Sequence, residues 1–470
     1  MSLKPLWPGF AYKPHQESGI HWMLERESVD HGPTRGGLLC DEMGLGKTME
    51  VLGTIVNSRK LETLLLCPKA VIVQWREAAA RSGINVLEPS LTSSGWRQPR
   101  RYKPGKPLLF ITNYEKLIGH PVLGRRGWSR IVLDEAHRAK NPASTLYQSI
   151  ARLTHRSLWA VTATPIINGV NDMKALFKLV GFKGTDMGNY SSLTQIVSKA
   201  CIYRSMDEMR QCIPELPSRP EIHTELLDFI SEAETDFYRG IQGGLVRRWQ
   251  ALESDSKSEG FKILMRLRQL SLHPQIYISA RKREWAGYTR PDWYEESTKF
   301  IALKDKLAAT AELARWIVFC QFHEEMELLQ AALPDVTTWQ YHGGLSDAEK
   351  ETVLKETRVP LKDKHQVLLL QLQSGGVGLN LQHFTHIIFM SPWWTSALMD
   401  QAVGRAVRIG QTGVVKVTRF VLREEGSMNI DTAMLHKADE KRGLLEKVFE
   451  FASKGLEPES DADASEEDPN

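Results

Sequence analysis

Short apolar runs recur along the chain, and most end in a polar or glycine-rich segment. Leu38–Cys40, Leu64–Cys67, Leu108–Thr112, Arg130–Leu133 and Leu158–Val161 read as buried strands. Between them lie helix-period stretches, Met49–Lys60 and a segment carrying Trp75. Strands alternating with helices predict a parallel sheet with helices on both faces. The pattern lapses from about residue 170 to 300, where composition shifts to Arg, Gln, Ser and charged helix formers, and Ile213–Pro217 reads as a break. It resumes near residue 300. Strands Trp316–Cys320, Val336–Tyr341, Val367–Leu372 and His386–Met390 alternate with helices Glu324–Ala332 and Asp347–Thr357. A helix Ser396–Arg408, a strand Val414–Val421 and a helix Asn429–Phe449 follow. The last has one apolar face, Ile430, Met434, Ala438, Leu445 and Val448, and reads as a brace packed across a lobe. The chain therefore predicts an α/β protein of two lobes with like architecture, a helical segment between them and a C-terminal brace.

Ligands of such sheets bind at the carboxyl ends of the strands, and there the polar motifs fall. GGLLCDEMGLGKT, Gly36 to Thr48, is a strand, a glycine-rich loop and the start of a helix, the context a phosphate-binding loop needs. Gly44 and Gly46 let backbone N–H groups approach phosphates, and a helix N-terminus adds partial positive charge. Lys47 would reach the β/γ-phosphates and the Thr48 hydroxyl would hold Mg²⁺. The strict G-x-x-x-x-G-K-[ST] spacing is not met, because Asp41 stands where its first glycine belongs. The bland alternative is a chance glycine turn. Asp134-Glu135-Ala136-His137 follows another strand. There Asp134 can hold Mg²⁺, and Glu135 can orient and deprotonate an attacking water. The alternative, a helix N-cap, loses ground beside a phosphate loop. His137 can couple this pair to the turn Thr162–Thr164. Gln16 could read an adenine edge; an exposed Gln on an amphipathic helix is the simpler reading by itself. Gln401, Arg405 and Arg408 fall on one face of a continuous helix.

Charge changes the picture in one respect. The 470 residues carry a formal net charge of +3, but residues 457–470 hold seven acidic and no basic residues, leaving +10 on the rest. A basic body with an acidic tail suits a polyanion binder, and such a tail is as readily a disordered, solubilising end. Lys262 and Arg266, one helical turn apart, could touch a phosphate backbone or could simply be a solvated face. Five scattered cysteines with no C-x-x-C spacing argue against disulfides and a cysteine-rich zinc site, and for an intracellular protein. No apolar run reaches membrane-span length, and no signal-like segment opens the chain.

GGLLCDEMGLGKT, IVLDEAHRAKN and VTATPIINGVNDM resemble motifs I, II and III of the SWI/SNF-type family of helicase-like ATPases, and LLLCPKAVIVQWREA and ITNYEKL resemble its motifs Ia and Ib. In that family Asp normally occupies the position of Asp41. The helix with Arg405 and Arg408, followed by Ile409-Gly410-Gln411-Thr412, resembles its motif VI. The likeness spans about residues 10 to 450. It implies tandem RecA-like lobes, with ATP and Mg²⁺ in the cleft between them. Gln16 and the loop residues Asp41, Glu42, Met43, Gly44, Leu45, Gly46, Lys47 and Thr48 would bind nucleotide, Thr48 and Asp134 the metal. Lys47, Asp134, Glu135, Arg405 and Arg408 would be catalytic, the two arginines meeting the ATP when the lobes close. It implies a nuclear, DNA-stimulated ATPase that moves along double-stranded DNA or remodels chromatin and other DNA–protein complexes, in repair or chromatin remodelling. The rival readings are a strand-separating DNA or RNA helicase and an ATPase-silent scaffold. Expected bounds are 1–215 for the first lobe, 216–299 for a helical insertion and linker, 300–426 for the second lobe, 427–455 for the brace and 456–470 for the tail. Ala163, Gly343, Gly404 and Val407 depart from the family's usual residues. Trp393-Trp394 resembles the repair and transcription-termination branch and reads as lobe packing. Relatives often carry a RING finger in the insertion; its Cys/His pattern is missing here, so no ubiquitin-ligase module is expected.

Overall fold

The computed structural model describes residues 2–28, 35–58, 62–89, 96–97, 102–119, 126–252, 256–361, 363–375, 379–424 and 429–440. The chain divides into two compact units that meet in sequence at Leu216 and Pro217.

The first unit holds strands β1 (Gly36–Leu39), β2 (Glu62–Cys67), β3 (Asn85–Pro89), β4 (Trp96–Arg97), β5 (Leu108–Asn113), β6 (Arg130–Asp134), β7 (Leu158–Val161) and β8 (Cys201–Ile202). They form one sheet in the order β4-β3-β5-β2-β6-β7-β1-β8. All pairings are parallel except β3 with β4. The central strands are apolar on both faces, which a parallel sheet covered twice requires. Leu38, Leu64, Leu66, Ile131, Leu133 and Ala160 pack with Tyr147, Ile150, Leu176 and Leu193 from helices on one face. Leu39, Leu65, Val132 and Trp159 point the other way and are also buried, as are Ile20, Val51 and Trp75 of helices Pro14–Ser28, Lys47–Asn57 and Ile72–Arg81.

The second unit continues with β9 (Glu221–Asp228), β10 (Arg315–Cys320), β11 (Thr337–Tyr341), β12 (Gln366–Gln371), β13 (His386–Phe389) and β14 (Lys416–Arg423). Their order is β11-β12-β10-β13-β14-β9, parallel throughout. On one face Ile317, Phe319, Leu368, Leu370 and Ile387 pack with Met399, Ala402 and Val403. On the other, Trp316, Val318, Val367, Leu369 and Ile388 pack with Phe300, Leu303, Met326 and Leu329. Two parallel sheets with helices on both sides are the tandem RecA-like architecture expected.

The segment 216–299 is more than the helical linker anticipated. Its residues Glu221–Asp228 run beside β14 as the sheet's edge strand, from Glu221 opposite Lys416 to Asp228 opposite Arg423. Half-exposed polar positions hid this strand, because an edge strand is not buried on both faces. Helices Glu232–Gln250, Lys257–Leu272 and Pro274–Glu284 then form a separate cluster with Ile430 and Met434 of the C-terminal helix. That brace thus packs on the second unit as far as residue 440; Leu445, Val448 and the acidic tail lie outside the described residues. Trp393 and Trp394 are packing residues, each against an apolar cluster of this unit.

The first helix is pinned to the sheet by charge. Glu27 accepts from Arg130 Nε and Nη2, both at 2.6 Å, and from Trp159 Nε1 at 2.8 Å, with Arg130 wholly buried. Truncating one partner of a buried pair strands the other charge. Glu27→Ala should therefore cost about 3–5 kcal/mol in urea unfolding; a loss below ~1 kcal/mol, the worth of an exposed pair, would refute it.

Candidate active site

Strand register assembles the site. β7 lies between β1 and β6, with Leu39 opposite Val161 and Val161 opposite Asp134. The glycine loop, the acid pair and the Thr162–Thr164 turn therefore leave the sheet at one level on its carboxyl edge.

In the loop, Gly44 and Gly46 adopt φ of 97° and 89°, a left-handed conformation that favours glycine. Gly46 caps the helix Lys47–Asn57 and leaves it without a side-chain cap. Lys47 Nζ folds back onto the carbonyls of Asp41 at 2.6 Å and Glu42 at 3.3 Å. Its charge reaches Asp134 and favours that carboxylate's ionised form. His15 Nε2, at 2.7 Å, and Gln16 Nε2, at 3.2 Å, both bond the Leu45 carbonyl. Gln16 is buried rather than an exposed helix residue; its amide donates to the Leu45 carbonyl and accepts the Lys13 N–H. A Cβ on Gly46 would lie 2.5 Å from that amide.

Two loop residues expected to bind nucleotide have their side chains turned elsewhere. Asp41 is fully buried and takes the Arg204 guanidinium on both oxygens, with Nε at 2.9 Å. Glu42 accepts the Met206 N–H at 2.5 Å. Arg204 also reaches Glu50 at 2.8 Å and the His15 carbonyl. Burial, with the Asp41 charge second, pushes the Glu50 carboxyl well above its ordinary range. A Cβ on Gly19 would meet Glu50 Oε2 at 1.8 Å, so a side chain there would push Glu50 from its place beside Arg204. What Asp41 contributes to the loop face is its backbone carbonyl. Arg204 had no motif to betray it; the one available signal was Glu50, a charge in an otherwise apolar helical stretch.

Asp134 ends β6 half-buried. Its Oδ2 accepts the Trp75 Nε1–H at 2.7 Å and its Oδ1 the Glu135 N–H at 3.1 Å. Burial and the neighbouring Glu135 raise its carboxyl to about 7. Glu135 has φ of 53°, the one left-handed non-glycine residue among those described. Such strain costs about 1–3 kcal/mol and gathers at functional sites. His137 Nδ1 lies 3.4 Å from Glu135 Oε2, 3.0 Å from Thr162 Oγ1 and 3.3 Å from Thr164 Oγ1. The coupling expected of His137 is therefore present as contacts. Burial, then Lys140 and Arg138, lower its pKa to about 4, so the ring is neutral at neutral pH. The Asp134 carboxylate and the hydroxyl of Thr48, second residue of the loop's helix, are hard oxygen donors. They suit Mg²⁺, which keeps water and substrate phosphates as its remaining ligands.

In the second unit the continuous helix expected through Arg408 ends at Val403, with Gly404 as its cap. Arg405 and Ala406 make tightened bonds to Ala402 and Val403, three residues back. Glycine, a poor helix former, releases the chain there. Gln401, Arg405 and Arg408 consequently do not share one helical face. Arg405 is buried, and Arg408 Nε bonds the Gly404 carbonyl at 2.9 Å. Arg266, a candidate phosphate contact, is paired with Glu284 at 3.0 Å, which favours the structural reading; Lys262 is exposed. Gly376-Val377-Gly378 lies outside the described residues.

The SNF2-related domain family matches residues 15–187, and the Helicase conserved C-terminal domain family matches residues 298–410. The chain belongs to the SWI/SNF-type family of helicase-like ATPases. Members hydrolyse ATP, and this chain is of that class. It is 28% identical to a probable global transactivator of Orgyia pseudotsugata multicapsid polyhedrosis virus, over 93% of this chain and 91% of that protein. It is 25% identical to the ISWI chromatin-remodeling complex ATPase ISW1 of Saccharomyces cerevisiae, over 95% of this chain but 41% of the yeast protein, less than half its length. The solved Sulfolobus solfataricus SWI2/SNF2 ATPase core in complex with dsDNA overlays with a TM-score of 0.42 and 19% identity, covering 95% of this chain and 98% of that one.

The buried Asp41–Arg204–Glu50 cluster makes the loop sensitive to a residue far from it in sequence. Arg204→Ala leaves two buried carboxyls without their cation, and should lower stability by about 3–5 kcal/mol. Chemical denaturation measures this; unchanged stability would mean the cluster is not a brace.

Proposed function

We propose that the chain is an ATP-dependent DNA translocase, hydrolysing ATP to move along duplex DNA or to remodel DNA–protein complexes. The observation that carries the hydrolytic part is one carboxyl edge bearing a glycine loop with its lysine, a half-buried aspartate within reach of that lysine's charge, and a strained glutamate beside it.

In this reading the loop amides and Lys47 bind the β- and γ-phosphates. Lys47 gives up its loop-carbonyl bonds to do so. Thr48 and Asp134 would hold Mg²⁺, which would supply positive charge against the phosphates. Glu135 accepts a proton from the water that attacks the γ-phosphorus, and ADP departs. His137, neutral and in contact with Glu135 and both threonines, links the base to the turn after β7. Arg405 and Arg408 supply guanidinium charge to the γ-phosphate during turnover. Such a finger is worth about 10³–10⁵ in rate in related hydrolases. The +10 body and the chromatin-remodeling role named for the yeast relative support duplex DNA as the polymer, and chromatin in the nucleus as the setting. Among the described residues no helix is long and apolar enough to cross a membrane, and no three or more His, Cys, Asp or Glu gather as a metal site.

Two measurements test this. Glu135→Gln should bind ATP with nearly unchanged affinity while turnover falls by about 10²–10⁴-fold, whereas Lys47→Ala should weaken binding and turnover together. Normal turnover in Glu135→Gln would remove the base from the scheme. Separately, turnover should rise with duplex DNA and the stimulation should fade steeply with salt, since backbone contacts release counterions. Stimulation by RNA alone, or strand separation on a forked duplex, would replace the translocase by a helicase; no turnover with any polymer would leave a scaffold.

A further inference from the structure

Trp75 and Tyr114 are both buried, and neither has been given a part in the chemistry. Trp75 lies in the helix that follows β2, and Tyr114 opens the helix Tyr114–Gly119 directly after β5. In the sheet β2 pairs β6 on one side and β5 on the other. Both helices therefore begin at the same carboxyl edge as Asp134. The Trp75 indole donates to Asp134 Oδ2 at 2.7 Å, and the Tyr114 hydroxyl donates to the Asp134 backbone carbonyl at 2.6 Å. Asp134 Oδ1 takes the Glu135 N–H.

We infer that Trp75 and Tyr114 are positioning residues for the acid pair: the indole aims the Asp134 carboxylate, and the phenol fixes the peptide that leads into Glu135. The inference rests on the reading of Asp134 as the carboxylate that faces the metal–nucleotide. An indole N–H can only donate. It occupies one lone pair of Oδ2 and resists rotation of the carboxylate, so the remaining lone pairs keep a constant direction. Donors that orient a ligating carboxylate typically contribute 10–100-fold to metal affinity. Tyr114 acts one bond further along. The peptide it holds joins Asp134 to a residue at φ of 53°, a conformation that persists only where neighbours enforce it. Without the phenol donor that peptide can relax, and the Glu135 carboxylate moves from the water it serves. Both donors follow strands β2 and β5, and β6 and β7 lie between those strands and β1, which leads into the glycine loop.

The test uses the full chain and separates metal from nucleotide. ADP affinity is measured by calorimetry without metal and across a Mg²⁺ titration, alongside ATP turnover and the melting temperature. Trp75→Phe should raise the Mg²⁺ needed for half its effect on ADP binding by about 10–100-fold, with metal-free ADP affinity unchanged. Benzothienylalanine at position 75, which keeps the indole shape and replaces N–H by sulfur, should reproduce that shift with an unchanged melting temperature. Tyr114→Phe should leave the Mg²⁺ requirement alone and lower turnover, by about 10²-fold if the base moves ~1 Å. Asp134→Asn is the control. If it loses the Mg²⁺ effect while both Trp75 replacements keep wild-type Mg²⁺ dependence, the positioning role is wrong and the reading of the site stands. If Asp134→Asn binds Mg²⁺–ADP and turns over normally, the reading of Asp134 itself fails.

Discussion

Parallel pairing of β1, β7 and β6 is the constraint on which the site depends. It sets Leu39, Val161 and Asp134 at one level, so three chain segments about 120 residues apart at the extremes leave the sheet together. A slip of one residue in any of these strands would turn its apolar set over to the opposite face. Both faces are buried, but against different helices with different cores, and the register is therefore held by packing on two sides. The chemistry inherits its geometry from hydrophobic burial that has no chemical role.

A second layer of control is electrostatic and lies behind the site. Arg204 gathers Asp41, Glu50 and the His15 carbonyl, while Glu27 gathers Arg130 and Trp159. Both clusters tie the helix Pro14–Ser28 to the first sheet. The second unit has its own version. Lys299 Nζ lies 2.5 Å from Asp431 and 2.8 Å from Ser391 Oγ, and Asp431 also accepts the Ser271 hydroxyl at 2.6 Å. That cluster joins the helix before β10, the end of β13 and the C-terminal helix. Buried pairs of this kind add little net stability over apolar packing, but removing one partner is costly. They make these particular arrangements of helix on sheet hard to exchange for others.

Much of this was legible along the chain. Every central strand of both sheets announced itself as an apolar run, because a strand covered on both faces has no polar option. The glycine loop, the acid pair and the threonine turn were legible because each follows such a strand. The edges were not. β3, β8 and β9 are short or half exposed, and their composition matches that of loops. The end of the helix at Val403 was hidden as well: Gln401, Arg405 and Arg408 keep helical spacing, and only the bonds after Gly404 show the chain tightening out of the helix.

Asp41 marks where the two kinds of information divide. The sequence alone determined that a strand, a glycine-bearing turn and a lysine-headed helix stand in that order, since burial and backbone freedom act on neighbouring residues. Tertiary structure alone decided that the Asp41 carboxylate turns from the loop to Arg204, and that Asp134 is gripped by Trp75 and Tyr114. A side chain's partner is chosen by which charges and donors the fold encloses together. Arg204 comes 163 residues after Asp41, and Trp75 59 residues before Asp134. Nothing local to either carboxylate could have specified the partner, because the pairing exists only once the fold has brought the two distant segments together.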